Sequence, residues 1–146
     1  MDRKEFLKIC GGTCVGLLGI SVLTQACTGT HYVQASASEN GLLVAKDEFK
    51  VLKKNSESFR RYIVVKAEKL DFPVIVYRSA DAKYHAMLMQ CTHQGAELNV
   101  NGDILTCPAH GSEFSNKGEI ILGPADKKLR SFNIREDEKN IYIMLV

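Results

Sequence analysis

Two pairs of residues in this chain have the types and the spacing to bind iron or zinc. Cys91 is followed two positions later by His93, and Cys107 is followed three positions later by His110. Thiolate and imidazole suit iron–sulfur clusters and zinc, whereas calcium requires oxygen ligands. Spacings this short let both side chains of one loop face a shared centre. The sequence therefore predicts a metal site assembled from two loops.

The division of the ligands between the loops bears on which metal is bound. Structural zinc sites more often combine a C-x₂₋₄-C pair with an H-x₃₋₅-H pair. One Cys and one His in each loop is the pattern in which two Cys hold one iron and two His hold the other. The pattern favours a [2Fe–2S] cluster, and a zinc-stabilised binding module without redox activity is the alternative.

Three segments carry a family resemblance. CTHQG, which begins at Cys91, and CPAHGSEF, which begins at Cys107, resemble the two cluster-binding boxes of Rieske iron–sulfur proteins. Leu122-Gly123-Pro124-Ala125 resembles the loop that covers the cluster in Rieske subunits of cytochrome bc complexes. The resemblance covers roughly residues 60–146.

The resemblance implies roles for individual side chains in binding one [2Fe–2S] cluster. Cys91 and Cys107 would bind the inner iron, and His93 and His110 the outer iron. Ser112 matches the position of a Ser that donates a hydrogen bond to a bridging sulfide. A loop serine bonded only to the backbone is the alternative for that residue.

Four positions depart from the cytochrome bc type. Relatives of that type carry a disulfide between the two boxes, but Ala96 and Ala109 stand at its positions, so a disulfide-free variant is implied. Phe114 replaces a Tyr whose hydroxyl bonds a Cys sulfur in high-potential relatives, and Gln94 replaces a Leu found beside the quinol site. We expect a potential below the mitochondrial type and above the dioxygenase ferredoxins.

The sequence of the N-terminus predicts a targeting segment. Residues 1–8 are charged, and the stretch from Ile9 to Ala26 contains no charge, which is marginal for a membrane-spanning helix. The charged part resembles a twin-arginine export signal with Lys4 in place of one Arg, and the sequence before Cys27 resembles a lipobox. A retained anchor helix, a lipoprotein and a cleaved signal are the three alternatives. Each predicts a domain on the periplasmic side of the bacterial cell envelope, attached to the membrane in the first two cases.

The remaining chain is predicted to be all-β. Short β-branched runs such as Tyr62–Val65 and Val74–Tyr77 alternate with turns, which is typical of a sandwich or barrel. The resemblance sharpens this to Rieske-type stacked antiparallel sheets with a small cluster-binding subdomain at about residues 88–116. We expect a linker at residues 28–40 and the Rieske domain at 41–146.

Composition and resemblance together define the expected function. The 146 residues include 19 basic and 17 acidic side chains, with no basic run interleaved with aromatics, so nucleic-acid binding is not expected. The leading hypothesis is one-electron transfer in a membrane-associated respiratory chain, as the Rieske subunit of a quinol–cytochrome c reductase-like complex rather than a stand-alone enzyme. Its expected partners are cytochrome b, c-type cytochromes or other redox subunits, and quinol. A small Rieske subunit of a molybdenum oxidoreductase such as arsenite oxidase is the redox alternative.

Overall fold

The computed structural model describes residues 29–53 and 56–145. Strands account for nearly all the regular structure in this part of the chain, with one 3₁₀ helix at Lys46–Phe49. The strands are β1 (Tyr32–Gln34), β2 (Ser36–Ser38), β3 (Gly41–Ala45), β4 (Lys50–Lys53), β5 (Ser56–Phe59), β6 (Tyr62–Lys66), β7 (Val74–Arg78), β8 (Tyr84–Leu88), β9 (Asn99–Asn101), β10 (Ile104–Thr106), β11 (Glu113–Ser115), β12 (Ile120–Leu122), β13 (Ser131–Glu136) and β14 (Asn140–Met144).

The strands form three sheets. The main sheet has eight strands in the order β1-β6-β7-β8-β13-β14-β3-β2, and the small sheet has four in the order β12-β11-β10-β9. Strands β4 and β5 form a separate hairpin. Every pair is antiparallel except β1 with β6. The prediction of an all-β, Rieske-type fold is confirmed.

The centre of the main sheet is buried on both faces. Successive side chains of a strand point to opposite faces, so each central strand contributes to two cores. Ile75 and Met87 lie in the core shared with the small sheet, whereas Val76 and Ala86 lie in the core on the opposite face. Continuous apolar runs such as Val74-Ile75-Val76-Tyr77 are explained by this double burial.

The structure corrects the linker prediction over part of residues 28–40. Strand β1 lies parallel to β6, and β2 lies antiparallel to β3. The Val33 side chain is buried, and backbone hydrogen bonds join Ala35 N–H to the Lys66 carbonyl and Val64 N–H to the His31 carbonyl, each at 2.9 Å. The small polar composition suggested a linker, but edge-strand pairing uses backbone groups and needs few apolar side chains.

Two further boundaries bear on the sequence predictions. The small sheet extends from Asn99 to Leu122, so it includes β12, which lies beyond the predicted subdomain limit at residue 116. The predicted export or anchor segment, residues 1–27 with Cys27, lies outside the described residues. Within the described part, no helix has the length and apolar character needed to cross a membrane.

Candidate metal centre

Two loops of similar backbone geometry carry the predicted ligands. Ligand loop 1 (Cys91–Ala96) follows β8, and ligand loop 2 (Cys107–Ser112) joins β10 to β11. In each loop the Cys N–H donates to the carbonyl of the loop's last residue at 2.8 Å. The Cys carbonyl accepts the N–H of Gly95 at 2.9 Å in loop 1 and of Gly111 at 3.0 Å in loop 2. Both glycines have φ of +79°, the left-handed region where glycine is least strained, so the same tight turn forms twice.

The loops place two thiols inside the protein and two imidazoles on its surface. Cys91 and Cys107 are 2% and 3% exposed, whereas His93 and His110 are exposed. The imidazole centroids lie 5.0 Å apart with the rings nearly perpendicular. The four side chains therefore form a buried thiol pair and an exposed imidazole pair.

Hydrogen bonding around Cys107 favours its thiolate. Burial raises the pKa of this thiol, but hydrogen bonds from the Cys91 thiol and from the backbone N–H groups of His110 and Ala109 outweigh burial. The pKa of Cys107 therefore lies below its ordinary value. Thiolate is the form of cysteine that binds metals, so the loop is prepared for a metal ligand.

The donor set fits a two-iron cluster held by two Cys and two His. In residues 29–53 and 56–145, no three His, Cys, Asp or Glu side chains are placed to hold one metal ion. The predicted ligands are grouped two and two, thiols with thiols and imidazoles with imidazoles. This grouping matches a cluster in which His₂ replaces Cys₂ on one of the two irons.

A third loop connects to both ligand loops, and we name it the proline loop (Gly123–Lys128). Ser112 Oγ, fully buried, accepts the backbone N–H of Ala125 at 3.0 Å. Thr92 Oγ1 donates to the Lys127 carbonyl at 2.5 Å. Since the Ser112 oxygen is the acceptor in this bond, its hydroxyl proton remains available for a second hydrogen bond. That the Ser112 hydroxyl donates to a bridging sulfide stays a prediction.

Phe114 lies in the same core as the two thiols. Its side chain is fully buried. The two alanines at the positions of the relatives' disulfide differ in exposure, Ala96 being half-buried and Ala109 exposed. Both cysteines in the described part of the chain are free.

Sequence reasoning missed Thr92 as a residue of this site. Its hydroxyl donates a hydrogen bond to the Lys127 carbonyl, 35 positions further along the chain. No local sequence pattern predicts such a contact. Its position between two predicted ligands was the available signal. Gln94, which replaces the Leu of quinol-oxidising relatives, is exposed beside His93.

Comparison with known proteins agrees with this fold. The family model "Rieske [2Fe-2S] domain" matches residues 38–133, more than half of the chain. The chain therefore belongs to the Rieske [2Fe-2S] domain family and binds one [2Fe–2S] cluster. A search of curated proteins found no match.

Solved structures that this chain matches include Rieske proteins. The plasma membrane Rieske protein PetC3 of the cyanobacterium Synechocystis PCC 6803 is 27% identical, with 57% of this chain and 85% of that chain covered at a TM-score of 0.50. The quaternary ammonium Rieske monooxygenase CntA is 19% identical, with 70% of this chain and 31% of that chain covered at a TM-score of 0.53. Naphthalene 1,2-dioxygenase is 25% identical, with 58% and 22% covered at a TM-score of 0.49. Electron transfer by a Rieske cluster is the common function that the family membership supports.

Proposed function

We propose that Cys91 and Cys107 hold the inner iron, that His93 and His110 hold the outer iron, and that the protein carries single electrons in a membrane-associated respiratory chain. We propose further that it is the Rieske subunit of a quinol–cytochrome c reductase-like complex. The observation that carries it is the exposed imidazole pair beside a buried thiol pair. When bound, the cluster supplies reversible one-electron chemistry, and its two neutral imidazole ligands give it a higher potential than all-cysteine clusters.

The chain's own residues shield, orient and expose the site. Burial of the thiols and of Phe114 excludes water from the inner side. The proline loop is fixed to both ligand loops by hydrogen bonds to Thr92 and Ser112. The imidazole edges face solvent, so a docked partner can approach the outer ligands without any opening of the fold.

The membrane assignment is supported by two observations. The similar Synechocystis protein is described as a plasma membrane Rieske protein. The first 27 residues of this chain combine a charged start, an uncharged stretch and Cys27 in a lipobox-like context. We therefore propose that the domain lies on the periplasmic side of a bacterial membrane, held by an N-terminal helix or by lipid on Cys27.

Electron paramagnetic resonance tests the proposed ligands directly. The reduced wild-type protein is expected to give a Rieske-type signal with the low average g value of histidine-ligated clusters. Cys107→Ser is expected to lose the signal and the visible absorbance, whereas the matched variant Ser115→Ala, in β11 outside the ligand loops, is expected to keep both. A full signal in Cys107→Ser would refute the ligand assignment.

Membranes from cells lacking the gene test the respiratory assignment. Quinol should reduce the cluster in wild-type membranes, and quinol-dependent cytochrome c reduction should fall in the deletion strain and return with the wild-type gene. Complementation with Cys107→Ser should not restore it. Reduction of the cluster by arsenite but not by quinol would instead support the molybdenum oxidoreductase alternative.

Cell fractionation tests the attachment. If lipid on Cys27 holds the protein, Cys27→Ser shifts it from the membrane fraction to the soluble fraction, while the control Cys10→Ser leaves it in the membrane. If a retained helix holds it, both variants stay in the membrane. Wild-type protein found in the soluble fraction would contradict membrane attachment by either route.

A further inference from the structure

A cleft rich in positive charge lies where the main sheet meets the turns of the small sheet. Its volume is about 390 Å³, and we name it the basic cleft. The charged and titratable residues that line it come from five separate segments of the chain: Arg60, Arg61, Tyr77, Arg78, His85, Asp103 and Lys117. No feature of the electron-transfer site uses these residues.

The formal net charge of the residues that line the basic cleft is more positive than that of the whole chain. Four cationic side chains and one carboxylate line it, a formal net charge of +3 with His85 neutral, whereas the chain carries +2. Positive charge concentrated in a concave site focuses the field and attracts anions. The charge of the cleft therefore favours an anion over a cation.

Two of the cationic groups are already engaged within the protein. Arg61 forms an ion pair with Asp103. The Arg60 Nη1 group donates to the Glu48 carbonyl at 3.1 Å and to the Lys50 carbonyl at 2.5 Å. These bonds fix the side chains of Arg60 and Arg61 in the wall of the cleft. The side chains of Arg78 and Lys117 are the two cationic groups that remain.

Arg78 and Lys117 are the groups available to an anion. The Arg78 guanidinium lies 4.2 Å over the Phe59 ring and is half-buried, and Lys117 is exposed. Among the ion pairs of the described residues, none involves either side chain. A partly desolvated guanidinium held in one plane by an aromatic ring is pre-organised to bind an oxyanion through two parallel N–H bonds.

We propose that the basic cleft binds an oxyanion, a phosphate or a carboxylate group, with Arg78 as the main contact and Lys117 as the second. The proposal is independent of the electron-transfer function. The oxyanion can belong to a small molecule or to acidic side chains of a partner protein, since the chemistry recognised is the same.

Calorimetric titration of the full-length, cluster-loaded protein with inorganic phosphate, with citrate and with a hexaglutamate peptide tests the proposal. We expect saturable one-site binding of at least one of these. Arg78→Gln should weaken it at least tenfold, because one charge-assisted bidentate contact is lost. Binding of phosphate or citrate indicates a small-molecule source, and binding of the peptide alone indicates a partner's carboxylates.

A matched variant separates the cleft from general charge effects. Arg130 also lies over a phenylalanine, Phe132, at 5.1 Å, but it is outside the cleft, so Arg130→Gln should leave the affinity unchanged. Lys117→Gln, at an exposed position, gives a second test if Arg78→Gln alters the fold, and it should also weaken binding. Absence of saturable binding with all three probes would overturn the proposal, as would equal losses in Arg78→Gln and Arg130→Gln.

Discussion

Burial distinguishes the two kinds of predicted ligand in this protein. The thiols of Cys91 and Cys107 lie in the same core as Phe114, whereas the imidazoles of His93 and His110 face solvent. An electron that enters or leaves through the imidazoles therefore crosses little protein. The buried side of the site controls the potential instead, because hydrogen bonds there act in a medium of low dielectric constant.

Phe114→Tyr is expected to raise the reduction potential. Phe114 belongs to the same core as the thiols, so we expect the new hydroxyl to donate to a sulfur and to stabilise the more negative reduced cluster. A net hydrogen bond of about 0.5–1.5 kcal/mol corresponds to roughly 20–60 mV for one electron. Redox titration measures the shift, and Phe132→Tyr, in the opposite core, is the control. An unchanged potential would mean that the hydroxyl does not reach a sulfur.

Ser112→Ala is expected to lower both stability and potential. The backbone N–H of Ala125 would lose its acceptor in a buried site, at a cost of about 1–3 kcal/mol. The predicted hydrogen bond to the cluster would be lost as well. Denaturant unfolding and redox titration measure the two effects, with the exposed Ser131→Ala as the control. A stability loss without any change in potential would restrict Ser112 to a structural role.

At the scale of elements, turns of the small sheet determine how it packs on the main sheet. Gly118, in the turn before β12, has φ of +80° and its N–H bonds the Ser115 carbonyl. A Cβ at this position would lie 2.9 Å from Met87 Sδ and 3.2 Å from Leu129 Cβ. The turn therefore requires glycine for its backbone conformation and also for the close approach of the two sheets.

A pair of glycine variants separates these two requirements. Gly102 also has positive φ, +61°, but a Cβ there would meet nothing within 4 Å. Both alanine variants should lose about 1–2 kcal/mol to left-handed backbone strain. Gly118→Ala should lose a further amount of about 1–3 kcal/mol from overpacking. Denaturant unfolding measures both, and equal losses would contradict the close packing at Gly118.

Some elements of the structure could be predicted from the sequence, and others could not. Cys91 and His93 were recognised because rare ligand types recur at short spacing, and strands such as β7 because β-branched runs are continuous. The parallel pairing of β1 was missed because it rests on backbone hydrogen bonds between distant segments. The bond from Thr92 to Lys127 and the basic cleft were missed for a similar reason. Each joins residues that become neighbours only when the sheets pack.

At the scale of the whole molecule, two cores lie on opposite faces of the main sheet. One core contains Leu105 and Phe114 together with the thiols, and the other contains Ile141 and Ile143. Only the first core adjoins the metal site. Events at the site should therefore affect one face of the protein much more than the other.

Removal of the cluster is expected to loosen the first core selectively. Without iron, the two ligand loops keep only their hydrogen bonds, so backbone amides near Leu105 and Phe114 should exchange faster with solvent. Amides of Ile141 and Ile143 should keep their protection. Hydrogen-exchange mass spectrometry of the cluster-loaded and chelator-treated proteins measures both regions. Uniform loss of protection would show that the two cores unfold as one unit.

The free state of both cysteines in the described part of the chain has a consequence for maturation of the domain. A domain that is crosslinked by a disulfide needs an oxidant to complete its folding and is destabilised when a thiol reductant breaks the S–S bond. Residues 29–53 and 56–145 contain no S–S bond to form or to break. Their folding can be completed in the reducing compartment where iron–sulfur clusters are assembled, and dithiothreitol should leave the finished protein active.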